Sequence, residues 1–138
     1  MAFATRTLID TGSTATGSGK IVIMCDFNNH DGTGLILDGS GIGGFAANAN
    51  VSIRRIRWGL TSGDISEDGS GSILITFEVP SGTDISAIRL AGSGYYDGPG
   101  ISGSHAGTGV TSADVNAVAV HATGFAMIEF SKTSGFTA

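Results

Sequence analysis

Charge and proline are what this chain has least of. Charged residues make up 14% of its 138 positions, against about 25% in an average soluble domain. Set beside a hydrophobic share of 41%, that shortage excludes intrinsic disorder, which needs low hydrophobicity and high charge. Basic residues are the scarcer sign, with seven Lys and Arg against twelve Asp and Glu and a net charge of −5. A protein that coats nucleic acid through its overall field is thereby excluded. The single cysteine, Cys25, has no partner in the chain. An intramolecular disulfide is impossible, and the chain is not a small secreted scaffold stapled by bridges. No apolar run approaches the ~18 residues of a membrane-spanning helix, so no membrane partner is expected. The opening MAFATRTLID has neither the basic start nor the long apolar centre of a signal peptide. A protein made and assembled in a cytosol is the expectation.

What is abundant is glycine, at 23 residues, when its usual share is about 7%. With only 2 prolines, this favours many short strands joined by tight turns over long helices. The length suits one domain with its own core, so residues 1–138 are expected to form a single unit.

The strongest strand signals bracket Val51 to Val79. Ile73, Ile75, Phe77 and Val79 fall on one face, with Ser72, Thr76 and Glu78 on the other, the alternation of a half-buried strand. In VSIRRIRW, Val51 and Ile53 share one parity while Ile56 and Trp58 share the other. A bulge at Arg54–Arg55 would account for that, because one extra residue inverts the faces. A strand covered on both sides, its arginines reaching a neighbouring subunit, is the alternative. The whole segment reads as an antiparallel pair with a long loop.

Further strands are expected at residues 4–9, 20–27, 33–38 and 85–90, and a final hairpin pairs 114–121 with 125–132 across a turn at 122–124. Asn28–Gly32 reads as a turn, and residues 91–109 as a long irregular loop, which in a compact domain is usually a binding loop or interface element. Ile21–Met24 is apolar on both parities, as in a strand buried on both faces in a sandwich or at a subunit contact. The count is about eight strands, and the expected fold is an all-β sandwich of jelly-roll type.

Motifs for chemistry are weak. Gly39, Gly41 and Gly44 have dinucleotide-loop spacing, but no helix can fit before the next strand. Asp64, Ser66, Asp68 and Gly69 begin a calcium-loop pattern whose final ligand position is Ile75. His30, His105 and His121 show no metal-ligand spacing, no nucleophile elbow is present, and Cys25 reads as a core thiol. Asp26 and Asp97 form a catalytic carboxylate pair only if the fold brings them together. No enzyme activity, catalytic residue, metal or cofactor is expected. Trp58, Tyr95, Tyr96 and Asp97 allow three readings, as a sugar-stacking surface, a protein interface or, for Trp58, core. Three of the seven basic residues, Arg54, Arg55 and Arg57, adjoin Trp58. They are the candidate contacts to neighbouring chains together with Tyr95, Tyr96 and Asp97, since arginine combines a fork of donors with a stackable plane. The rival role for Arg55 or Arg57 is pairing with Asp64, Glu67 or Asp68.

The succession VSIRRIRWGLTSG, SILITFEV, IRLAGSGYYDGPG, GTG with ADV, and FAMIEFSK resembles structural proteins of tailed bacteriophages, particularly marine ones. The likeness covers residues 51–132, with Tyr96 where Trp often stands. It implies a virion component, a head decoration protein bound to the phage major capsid protein and assembled in the bacterial host cytoplasm. It also implies a homo-oligomer, with a trimer favoured. A carbohydrate-binding or receptor-binding module of a tail fibre is the alternative.

Overall fold

The computed structural model describes residues 2–13, 19–62, 70–79, 83–102 and 113–136. The chain is all-β. Its strands are β1 (Ala2–Thr11), β2 (Lys20–Leu37), β3 (Phe45–Ser62), β4 (Ser72–Phe77), β5 (Ile85–Ala91), β6 (Ser93–Ser102) and β7 (Val115–Phe136). They form one antiparallel sheet in the order β1-β2-β7-β3-β6, with β4 also on β7 and β5 on β4. All-β was the expected class; among the described residues seven strands are hydrogen-bonded as one branched sheet, where about eight strands were expected.

The difference in count has a local cause. The segments expected as turns, Asn28–Gly32 and Ala122–Gly124, lie opposite each other, with Phe27 facing Gly124 and His30 facing Ala122. Both strands bulge there, so the long β2–β7 ladder bends and continues. The left-handed backbone that suggested chain reversal is present, at Asn29 (φ 46°), Gly32 (112°), His121 (41°) and Gly124 (135°), and serves the bend. The Asn29 N–H donates to Thr123 Oγ1 at 2.9 Å, and Asn29 Oδ1 lies 3.2 Å from His121 Nδ1. A Cβ on Gly124 would fall 2.0 Å from the Gly59 carbonyl oxygen, so only glycine fits there.

Beyond the bend β7 changes its second neighbour. Ser62 of β3 faces Ala122, and Ser72 of β4 faces Val120. Consequently β3 and β4 do not pair with each other, contrary to the long-looped pair read from the sequence. They follow one another along β7, whose backbone groups both need. The stretch expected as irregular is regular as far as Ser102, because β6 takes the free side of β3.

The Arg54 bulge is present. Ile53 faces Phe130 and Arg55 faces Glu129, leaving Arg54 as the extra residue. Val51 and Ile53 before it and Ile56 and Leu60 after it are all buried. They join Ile21, Ile23, Cys25 and Phe27 of β2, Ile73, Ile75 and Phe77 of β4, and Ile128 and Phe130 of β7 in one apolar cluster fed from both sides of the bend. Each of the Val, Ile, Leu and Phe side chains among them contributes about 1.5–3 kcal/mol on burial.

A second bulge, at Leu8, works in the same way. Thr7 faces Ile23 and Ile9 faces Val22, so Asp10 turns to the inner face. There it meets Lys132, whose side chain is 1% exposed. The ammonium donates to Asp10 Oδ1 at 2.8 Å and to the Gly12 and Gly43 carbonyls at 3.1 Å each, which uses all three of its protons. Asp10 Oδ2 accepts from the Gly43 N–H at 2.9 Å. Burial would raise the Asp10 carboxyl, but that N–H and Lys132 outweigh it and hold it below its ordinary value.

Two outcomes follow. Ile75→Ala, at a fully buried site, costs about 2–5 kcal/mol by denaturant melts. Asp10→Ala costs about 2 kcal/mol at neutral pH, less than for a fully buried pair because Asp10 is partly exposed and Lys132 keeps two carbonyls. A carboxylate with a depressed folded pKa gives stability above its unfolded value and loses it as pH falls through the folded one. The gap in melting temperature between wild type and Asp10→Ala is therefore constant from pH 7 to 5 and closes below about pH 4.

Candidate functional site: the outer face of the sheet

The alternation that sends Ile21, Ile23 and Cys25 inward sends Lys20, Val22, Met24 and Asp26 outward. Register carries this outer face across five strands. One row runs Ile9, Val22, Glu129, Arg55, Asp97, and the next runs Arg6, Met24, Met127, Arg57, Tyr95. Four of the seven candidate residues, Arg55, Arg57, Tyr95 and Asp97, are thus direct neighbours on one surface, although about 40 positions separate them in sequence.

Their geometry is an ion and ring network. Arg55 Nη1 donates to Glu129 Oε2 at 2.8 Å, and its Nε lies 3.4 Å from Asp97 Oδ1. The Arg57 guanidinium carbon stands 5.4 Å from the centre of the Tyr95 ring, within cation–π range. The Tyr95 hydroxyl donates to Asp97 Oδ2 at 3.1 Å, and Lys20 Nζ stands 3.7 Å from Glu129. The Glu129 and Asp97 carboxylates raise the Arg55 pKa further, so its charge is fixed. Between these groups lies a small recess of about 130 Å³ floored by Val22, Ile56 and Met127.

The other three candidates stand elsewhere. Tyr96 and Trp58 project to the opposite face, against the core cluster. Trp58 Nε1 donates to the Ala91 carbonyl at 3.0 Å, its ring lying across Gly94, where a Cβ would come within 2.5 Å. The Tyr96 hydroxyl bonds the Pro99 carbonyl. Arg54, the bulge residue, is exposed and lies alongside Gly100. Reasoning from sequence missed Arg6, Lys20, Met24, Met127 and Glu129, because only register across β1, β2 and β7 sets them beside the arginines. The one signal was the double-faced apolar run at Ile21–Met24.

The motifs weighed for chemistry resolve as structure. Gly39–Gly41 is a single 3₁₀ turn capped by Asp38. His30 stacks on Phe3 at 5.1 Å, and His121 belongs to the bend. Asp64, Ser66, Glu67, Asp68, Gly69 and His105 lie outside the described residues. Among the described residues no three His, Cys, Asp or Glu side chains converge as a metal set. Asp26 faces Phe125 and Asp97 faces Arg55, on rows and strands too far apart for a catalytic pair. A larger open recess of about 390 Å³ lies on the other side of β6, lined by Phe77, Ile85, Tyr96 and Ile101 with serine hydroxyls, and brings no acid–base pair with it. Near it burial, then the carboxylates of Asp114 and Asp84, push Glu78 up.

Comparison with family models, curated proteins and solved structures finds no match for this chain. No helix among the described residues is long and apolar enough to cross a membrane.

Burial, with Asp26 nearby, pushes the Cys25 thiol up to about 12, and thiolate is the reactive form. Native protein at pH 8 is expected to resist an aromatic disulfide reagent for hours and to release one thiol equivalent within minutes of unfolding in guanidinium. Prompt labelling of the native chain would show that the core opens at Cys25.

Proposed function

We propose that this protein is a non-enzymatic structural component of a phage virion. In this reading it is a homo-oligomeric decoration protein, with a trimer favoured by the phage resemblance, and it binds the outside of the head. Its attachment surface is the Arg55–Arg57–Tyr95 face, and the capsid partner offers carboxylates to it. The observation that carries this reading is electrostatic. On a chain of net charge −5, the outer face gathers Arg6, Lys20, Arg55 and Arg57 against Asp26, Asp97 and Glu129. The three carboxylates do not use up the cations. Among the described residues neither Arg6 nor Arg57 has a carboxylate partner.

The apolar content between these charges supports an interface as well. Arg, Tyr and Met are enriched where proteins meet, and all three types stand side by side on this face. The carbohydrate-binding alternative draws on several aromatic rings sharing one surface, whereas Tyr95 and Tyr96 point to opposite sides of β6.

Arg57→Ala and Arg55→Ala are expected to melt within a few degrees of wild type while binding empty phage heads at least about tenfold more weakly. Wild-type binding weakens as salt rises from 50 to 500 mM, because exposed charge pairs are screened over a Debye length. Unchanged head binding in both variants would remove this face as the attachment site. Binding to a glycan array with none to heads would favour the carbohydrate-binding module.

A further inference from the structure

We infer that β1 is an exchangeable arm, and that in the assembled protein the β1 of one copy occupies the seat on β2 of the next copy around a closed ring. The inference rests on the homo-oligomer proposed above and supplies the contact that builds it.

Four observations carry it. The first is exposure, since every residue from Ala4 to Gly12 is exposed. β1 is hydrogen-bonded to β2 along its length, yet among the described residues only its Phe3 and Asp10 side chains settle against the body. Leu8 and Ile9 remain 44% and 39% exposed, adjacent apolar side chains on an edge strand that no other described strand covers. The second is the space beneath it. Thr5 and Thr7 overlook an open cleft of about 230 Å³, whose far wall is Leu35–Asp38 with Gly41 and Ile42.

The third observation concerns what holds β1: side-chain contacts near its two ends and the backbone ladder to β2. Phe3 covers Gly34, where a Cβ would come within 2.7 Å of its ring; it stacks on His30 at 5.1 Å and meets Phe27 at a tilt at 5.2 Å. Asp10 is gripped by Lys132. The ladder to β2 runs from Ala2 against Asn28 to Thr11 against Lys20. Every partner in these contacts belongs to the rest of the chain. An identical arm from a second copy satisfies each of them equally, which is the condition for exchange at little cost in energy.

The fourth is reach. Gly12 and Gly19 each bond a Lys132 group, and the seven chain steps between them span up to about 24 Å when extended. In a ring each arm then lies beside a second body, which can cover Leu8 and Ile9.

The register gives a direct test, because Ala4 faces Asp26 and both are exposed. The double variant Ala4→Cys/Asp26→Cys is made in a Cys25→Ala background, oxidised under native conditions and run on a non-reducing denaturing gel. Linked peptides are then mapped, and each single variant serves as a control for chance collisions. The pair Arg6→Cys/Met24→Cys, also in register, guards against one poorly placed bond.

Covalent dimers and trimers joined through residues 4 and 26, at least fivefold above the single-variant controls, are expected. Internally closed monomers alone would overturn the inference. So would the absence of any bond in both pairs, since an exchanged arm keeps the same register. Sedimentation of the untreated protein separates the two readings. An oligomer that yields only internal bonds leaves self-association standing and removes exchange, whereas a monomer at micromolar concentration removes both.

Discussion

The structure hangs on the ladder between β2 and β7. It runs from Lys20 against Ser131 to Leu37 against Val115 and crosses the bend without losing its continuity. β1, β3 and β4 join the sheet directly on one of these two, and β6 and β5 follow on β3 and β4. β1 uses the outer edge of β2, and β3 and β4 divide the other edge of β7 between them. Backbone donors and acceptors cannot be left unpaired in a core, so the length of β7 sets how much chain can be added on each side of the bend. The apolar cluster follows from this division, because both parts of the sheet send their inner faces toward it.

The parts legible in the sequence are those in which a single strand decides the outcome. The alternation of Ile73, Ile75 and Phe77 and the phase change at Arg54 are local facts about one strand's two faces, and both are found in the fold. The bend was misread because turn chemistry specifies a backbone conformation and not a destination. Asn29, Gly32 and Gly124 supply positive φ whether the chain reverses or two paired strands kink together. β6 was hidden for a different reason. Its glycines count against a strand on propensity, yet Gly94 must be bare so that the Trp58 ring can lie across it. Such a strand is defined by its neighbours' side chains and not by its own.

The outer face was half legible. Arginine and tyrosine clusters stood out in sequence, and β3 and β6 set them side by side in register. The remainder, from Arg6 to Glu129, comes from strands at opposite ends of the chain, and no spacing rule connects positions 6, 24, 57, 95 and 127. The ion pairs on this face add little to stability by themselves, since exposed pairs seldom exceed about 1 kcal/mol. Their effect is on orientation. Glu129 and Asp97 flank the Arg55 guanidinium, and the Tyr95 ring flanks that of Arg57, so each positive group has a preferred direction on this face.

The placement of the first and last strands gives the domain two different mechanical strengths. β7 lies inside the sheet with ladders on both edges, so tension along it loads many hydrogen bonds in shear at once, and they must break together. β1 lies at the rim with one ladder, so a sideways pull opens it pair by pair, as a zipper opens. A sideways load on β1 would peel the rim strand while leaving the centre of the sheet intact, and the domain would yield in stages.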